Sequence, residues 1–176
     1  MSAELSQASD AMIDAGLDTQ GAFREAMSAL AATVCVVSAA QDGDRVGRTV
    51  TAALSLAVDP PSLLVSIDSG ARLTSLIRAQ GGFSFAMLQA DQQAVAEAFA
   101  GKAPPEERFE HGAWDTWPSG HPRLHGALAA MDCALVGEIE TTDHVLFVGR
   151  PRKIDLSANA KPLVWHGRQF KTITPL

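Results

Sequence analysis

The sequence contains no tyrosine, no G-x-G-x-x-G run and no P-loop. A Rossmann-type dinucleotide site therefore has no support in it. No apolar stretch reaches the roughly 20 residues that a membrane span needs. The N-terminus, "MSAELSQASDAMIDAG", lacks a basic n-region and an apolar h-region, so it does not read as a secretory signal. Basic residues are not in excess. The net charge of −6 argues against nucleic-acid binding and would repel an anionic membrane surface. Cysteine is scarce: Cys35 and Cys133 both sit in apolar runs, where buried, inert thiols are expected rather than a disulfide or a redox pair. The expectation is a cytoplasmic protein that binds neither nucleic acid nor membrane.

Metal and nucleophile patterns are also thin. His121 and His125 have four-residue spacing, but Pro122 lies between them and no cysteine joins them or His111, so no metal site is expected. Asp143-His144 could be half of a nucleophilic triad, yet no serine stands in a nucleophile-elbow context.

The chain has 176 residues, 47% of them hydrophobic, enough for one domain with a proper core. Residues 1–20 are small and acidic and are expected to form an N-terminal extension to a domain at 21–176. "AFREAMSAL" places Phe23, Met27 and Leu30 at i, i+4 and i+7, a short amphipathic helix. "TVCVVSAA" and "RVGRTVTA" flank "QDGDR", which predicts a hairpin. "SLLVSID" is expected as a strand buried on both faces, "ARLTSLIRAQ" as a helix and "GFSFAML" as a strand. "ADQQAVAEAFAG" predicts a helix closed by Gly101, and residues 102–122 a long loop. A run of strands follows. Many strands, few helices and no βαβ alternation predict a mainly β protein with flanking helices, a closed or partly closed antiparallel barrel.

The segment "GRTVTAALSLAVDPPSLLVSI" is unusual for a core strand. Gly47, Ala52 and Ala53 would let a ligand approach the backbone. Thr49, Thr51 and Ser55 offer hydroxyls, successive amides can form an anion-accepting concavity, and Arg72 can meet a phosphate. A flat heteroaromatic with a polar rim suits such a site. An irregular strand pair with a proline-stiffened turn is the plainer alternative, as a turn-bonded strand-end histidine is for His144.

Taken together, "FREAMSALAATVCVVS", "GRTVTAALSLAVDPPSLLVSID", "ADQQAVAEAFAGK", "EERFEHGAW", "HPRLHGALAAMDCALV", "TTDHVLFVG" and "PLVWHGRQFKTI" resemble, in order and spacing, the flavin reductase family with the FMN-binding split barrel. The resemblance spans about residues 22–173, and "GK…EERF" is similar to the reductases of pyrimidine utilisation and of cobalt-corrinoid reduction. It implies a Greek-key split β-barrel that transfers hydride from NADH or NADPH to FMN, or to FAD, and supplies reduced flavin to a partner monooxygenase. It implies a homodimer. Arg48, Thr49, Val50, Thr51 and Ala52 would run along the isoalloxazine, with Ser55 near the ribityl-phosphate end. Ser66 and Asp68 would line the adjacent strand end, and Ser69 and Arg72 would meet the phosphate. Phe99 and Lys102 would approach flavin or nicotinamide, and His144 would border the nicotinamide pocket as a positioning group. No certain catalytic side chain is implied. The family often has Asn-Ser where this chain has Thr51-Ala52, and a threonine where it has Leu54. The resemblance also leaves open a flavin-binding protein without turnover, or reduction of another acceptor such as a cobalt corrinoid. No arginine cluster is visible along the chain for a 2′-phosphate, which favours NADH.

Overall fold

The structure is a computed structural model that describes residues 18–158 and 160–174. The expected N-terminal extension lies almost wholly outside the described residues. Helix α1 covers Thr19–Ser28, and the apolar face predicted from Phe23 and Met27 is present but is not buried against the described residues: both side chains are exposed, as is Leu30.

Strand β1 (Ala32–Thr33) and strand β2 (Cys35–Gln41) divide the run predicted as one strand. The break lets Val34 bond in two directions, its N–H to Leu163 and its carbonyl from Leu88. Strand β3 (Asp44–Val50) returns from β2 through Asp42 and Gly43. Both turn residues have positive φ, 52° and 86°, as a tight hairpin demands. Strand β4 (Ala53–Val58) and strand β5 (Pro61–Asp68) form the next hairpin. Helix α2 (Arg72–Gln80) stops at Gly81, whose φ of 61° ends it in the left-handed conformation. Strand β6 (Gly82–Met87) follows. The next helical segment has its α-helical part, α3, at Gln93–Glu97 and closes in a wide turn at Gly101, as expected.

Residues 102–122 are more ordered than the predicted loop. They include a helical turn at Arg108–Glu110 and strand β7 (Trp114–Thr116), which pairs with β8 (Pro122–Leu124). The long hairpin of β9 (Ala129–Glu140) and β10 (His144–Leu156), then β11 (Leu163–His166) and β12 (Gln169–Thr172), complete the chain.

Seven strands form one antiparallel sheet in the order β3-β2-β6-β9-β10-β5-β4. It curls until β3 approaches β5, giving the barrel predicted from the strand-rich pattern. Side chains alternate between two cores. Cys35, Val37, Val65, Phe83, Phe85 and Phe147 fill the inside with Leu73 and Ile77 of α2. Val36, Ala86, Phe99, Phe109, Trp117 and Leu124 fill the outer layer beneath α3 and the 102–122 segment. Strand β5 departs from expectation: Leu63, Val65 and Ile67 are buried, but the alternate residues are only half-buried or exposed. Its apolar run reads as two-faced, but among the described residues no layer covers the outer face. Both cysteines are buried and unpaired, and burial pushes each thiol up to about 12.

Candidate functional site

Strand β3 is laid on an aromatic shelf. Gly47 is buried, and a Cβ there would stand 2.5 Å from Cε1 of Phe99. The glycine thus makes room for the core rather than for a ligand, contrary to the sequence expectation. Phe99 is fully buried, edge-on to Phe109 with ring centroids 4.9 Å apart, and tilted against Trp114. It therefore supports the site from beneath and does not line it. The Thr49 hydroxyl is also turned inward, donating to the carbonyl of Ala96 at 2.7 Å.

After Val50 the chain kinks. The Ala53 N–H bonds the Thr51 carbonyl at 3.0 Å, and the Ala52 carbonyl accepts from the Ser66 N–H at 3.0 Å. The kink leaves Thr51, Ala52 and Ser55 exposed as a strip of small side chains. Three clefts follow this path. One of about 460 Å³ lies beside Arg48 and Arg72, and one of about 180 Å³ beside Thr49, Val50, Thr51, Trp165 and Phe170. The third, about 590 Å³, is lined by Thr51, Ala53, Leu54, Ser55, Met87 and Met131.

The end of β5 meets the start of β10, with Asp68 directly opposite His144. Asp68 organises the turn into α2. Its carboxylate accepts from the Gly70 N–H at 2.8 Å, and its carbonyl accepts from the Thr74 hydroxyl at 2.8 Å. The Ser69 N–H bonds the Asp143 carbonyl, tying the two strand ends together. His144 is half-buried with its Nδ1 2.9 Å from the Asp143 carboxylate, and this contact holds the Asp143 carboxyl below its usual range. With Nδ1–H donated to Asp143, Nε2 remains available. Arg72 pairs with Asp44 at the head of β3.

Arg48, Thr51, Ala52, Ser66, Asp68, Ser69, Arg72 and His144 thus follow one edge of the barrel. Ser55 lies apart from the Asp68–Arg72 end of that edge. It pairs with Leu63, which stands five steps along β5 from Asp68, about 17 Å at the usual rise. Lys102 is exposed and pairs with Glu97 at 2.9 Å. Arg45, Arg108, Asp143, Trp165 and Phe170 were not anticipated as site residues. Asp143 had a local signal, being adjacent to His144. Arg45 lies on β3, three residues before Arg48, and Arg108, Trp165 and Phe170 are brought in from distant parts of the chain.

A family model described as "Flavin reductase like domain" matches residues 27–174. This chain belongs to that family. The flavin reductase-like chain is 36% identical over 155 residues to the reductase component of an FADH(2)-dependent resorcinol hydroxylase from Rhizobium sp. (strain MTP-10005), covering 87% of each. It is 33% identical over 165 residues to the FMN reductase (NADH) RutF of Pseudomonas syringae pv. syringae, covering 94% of this chain and 93% of that protein. The solved structure of BorF, the flavin reductase component of a bacterial two-component tryptophan halogenase, superposes with a TM-score of 0.81 at 30% identity. It covers 89% of this chain and 99% of that one. The fold of this flavin reductase-like protein is accordingly the split β-barrel. Its residues fit a flavin: a guanidinium-lined cleft suits a phosphate, and the exposed small-residue kink beside an apolar cleft suits a flat ring.

Proposed function

We propose that the chain is an NADH-dependent flavin reductase that takes FMN, with FAD also accepted, and supplies reduced flavin to a partner monooxygenase. The observation that carries this reading is the continuous edge from Arg72 and Arg48, through the Thr51–Ala53 kink, to the apolar cleft at Leu54. Bound flavin supplies the chemistry by accepting hydride from the nicotinamide. The protein binds and orients. Ser69 and Arg72 hold the phosphate; Arg48, expected along the ring from the sequence, is taken with them because it lines the same cleft as Arg72, and the backbone from Thr49 to Ala52 lies along the ring. Ser66 and Asp68 shape the strand end, and His144, oriented by Asp143, positions the nicotinamide. The relatives whose names specify NADH support that donor.

The same reading takes residues 21–176 as the working domain, as a homodimer in the cytoplasm. Two buried, unpaired thiols suit a reducing compartment. Exposed Leu54, Leu56, Val58, Ile154 and Leu156 suit a subunit interface. Among the described residues no helix is long and apolar enough to cross a membrane. A second reading, flavin binding without turnover, is favoured only by Thr51-Ala52 standing where the family often has Asn-Ser. Steady-state NADH oxidation with added FMN separates the two: turnover dependent on both supports the reductase, and FMN binding without NADH oxidation supports the second.

A further inference from the structure

The cleft of about 460 Å³ beside β3 is lined by Arg45, Arg48, Arg72 and Arg108, with Asp44 and Glu106 as the carboxylates on its wall. That volume is room for roughly fifteen waters. In a chain of net charge −6, four arginines converge on it. Elsewhere this chain sets arginines against acids: Arg78 holds Glu138 and Glu140, Arg123 holds Asp115 and Asp155, and Arg168 holds Glu25. In the cleft only Arg72 has such a partner, Asp44.

The remaining arginines of the cleft form no ion pair among the described residues. The half-buried Arg108 is fixed by two carbonyls, Nε toward Ala103 at 3.3 Å and NH1 toward Gly47 at 3.4 Å, which leaves guanidinium donors free. Arg45 lies over the Phe109 ring, 4.5 Å from its centroid. Arg48 is exposed and has no partner among the described residues. Arg45 is exposed too; Arg24, Arg150 and Arg152 also lack carboxylates, but they do not line this cleft. The half-buried Arg108 shares the cleft with Glu106 but forms no ion pair among the described residues, so an incoming anion would find its guanidinium unneutralised. A monophosphate at Arg48 and Arg72 leaves Arg45 and Arg108 unanswered.

We propose that Arg45 and Arg108 form a second phosphate subsite, so that the cleft takes the adenosine diphosphate end of a dinucleotide. This rests on the flavin reading for the first phosphate at Arg48 and Arg72. The shared chemistry has two sources, FAD and NADH. The test titrates the full-length protein and its Arg108→Ala and Arg45→Ala variants with FMN and FAD, following flavin fluorescence. The FMN-loaded proteins are then titrated with NADH and with reduced nicotinamide mononucleotide.

Each variant is expected to weaken the dinucleotide by roughly ten-fold or more, with its mononucleotide within about two-fold. A loss for FAD against FMN assigns the subsite to the flavin. A loss for NADH against the mononucleotide, with both flavins unchanged, assigns it to the donor. Equal losses for all four ligands, or no loss for any, overturn the proposal. The Arg45 side chain makes no hydrogen bond among the described residues and only stacks on Phe109, so its variant keeps the test sound if Arg108→Ala unfolds. If the unsubstituted protein binds neither flavin, the flavin reading fails by itself. Calorimetric titration with ADP then decides the cleft: weaker ADP binding by the variants supports the subsite, and unchanged binding or none overturns it.

Discussion

Arg72 stands at the first turn of α2 with a carboxylate where a phosphate could be. Replacing it with alanine should weaken FMN more than riboflavin, which has no phosphate. The difference should be about 1.5 kcal/mol, the lower end for a charge-assisted bond because the side chain is exposed and screened. Equal losses in parallel titrations would remove Arg72 from the phosphate site. His144 reaches the strand end with its ring oriented by Asp143. His144→Ala should raise KM for NADH while flavin stays bound. A fall in kcat of about 10²–10⁴ with unchanged KM would instead mark an obligatory acid or base.

The cysteines give a pH test at the same scale. Burial disfavours both thiolates, raising each thiol from an ordinary 9.0 to about 12. In the unfolded chain they ionise first, so this contribution lowers stability as pH rises from 9 toward 12. At pH 8 a thiol reagent should label the native protein slowly and the denatured protein fast. Rapid native labelling of either cysteine would contradict the burial.

Strand β3 shows what was legible in the sequence and what was not. Its hairpin was written locally in "QDGDR", because positive φ at two successive turn residues favours such residues. The small-residue kink after it was likewise visible in composition. The purpose of Gly47 was not, because the ring that needs its space, Phe99, is remote in sequence. Gly47→Ala should cost about 1–3 kcal/mol through overpacking against that ring. Chemical denaturation would show it, and an unchanged midpoint would contradict the shelf. The pattern of β5 misled for a related reason: an apolar run does not say whether a second layer exists to cover it. Arg45, Arg48, Arg72 and Arg108 carry no joint sequence signal, since β3, α2 and the 108–110 turn meet only in the folded chain.

At the scale of the molecule, both tryptophans of the 102–122 segment are turned into the fold. Trp117 is buried, donating to the Ser84 hydroxyl at 3.0 Å, and Trp114 packs on Phe99 and Phe109. The most exposed large apolar side chains among the described residues lie on β4 and the end of β10, with Val58 86% and Leu156 77% exposed. Light scattering at micromolar concentration should report a dimer, and charged substitutions at Leu56 and Val58 should shift it toward monomer. A monomeric unsubstituted protein would contradict the interface.

The reductase assignment itself has one decisive observation. Purified protein loaded with FMN under anaerobic conditions should show the visible absorbance of oxidised flavin and lose it on addition of NADH. A bound flavin whose absorbance persists with NADH present, or a protein that stays colourless after FMN is supplied, would contradict the account.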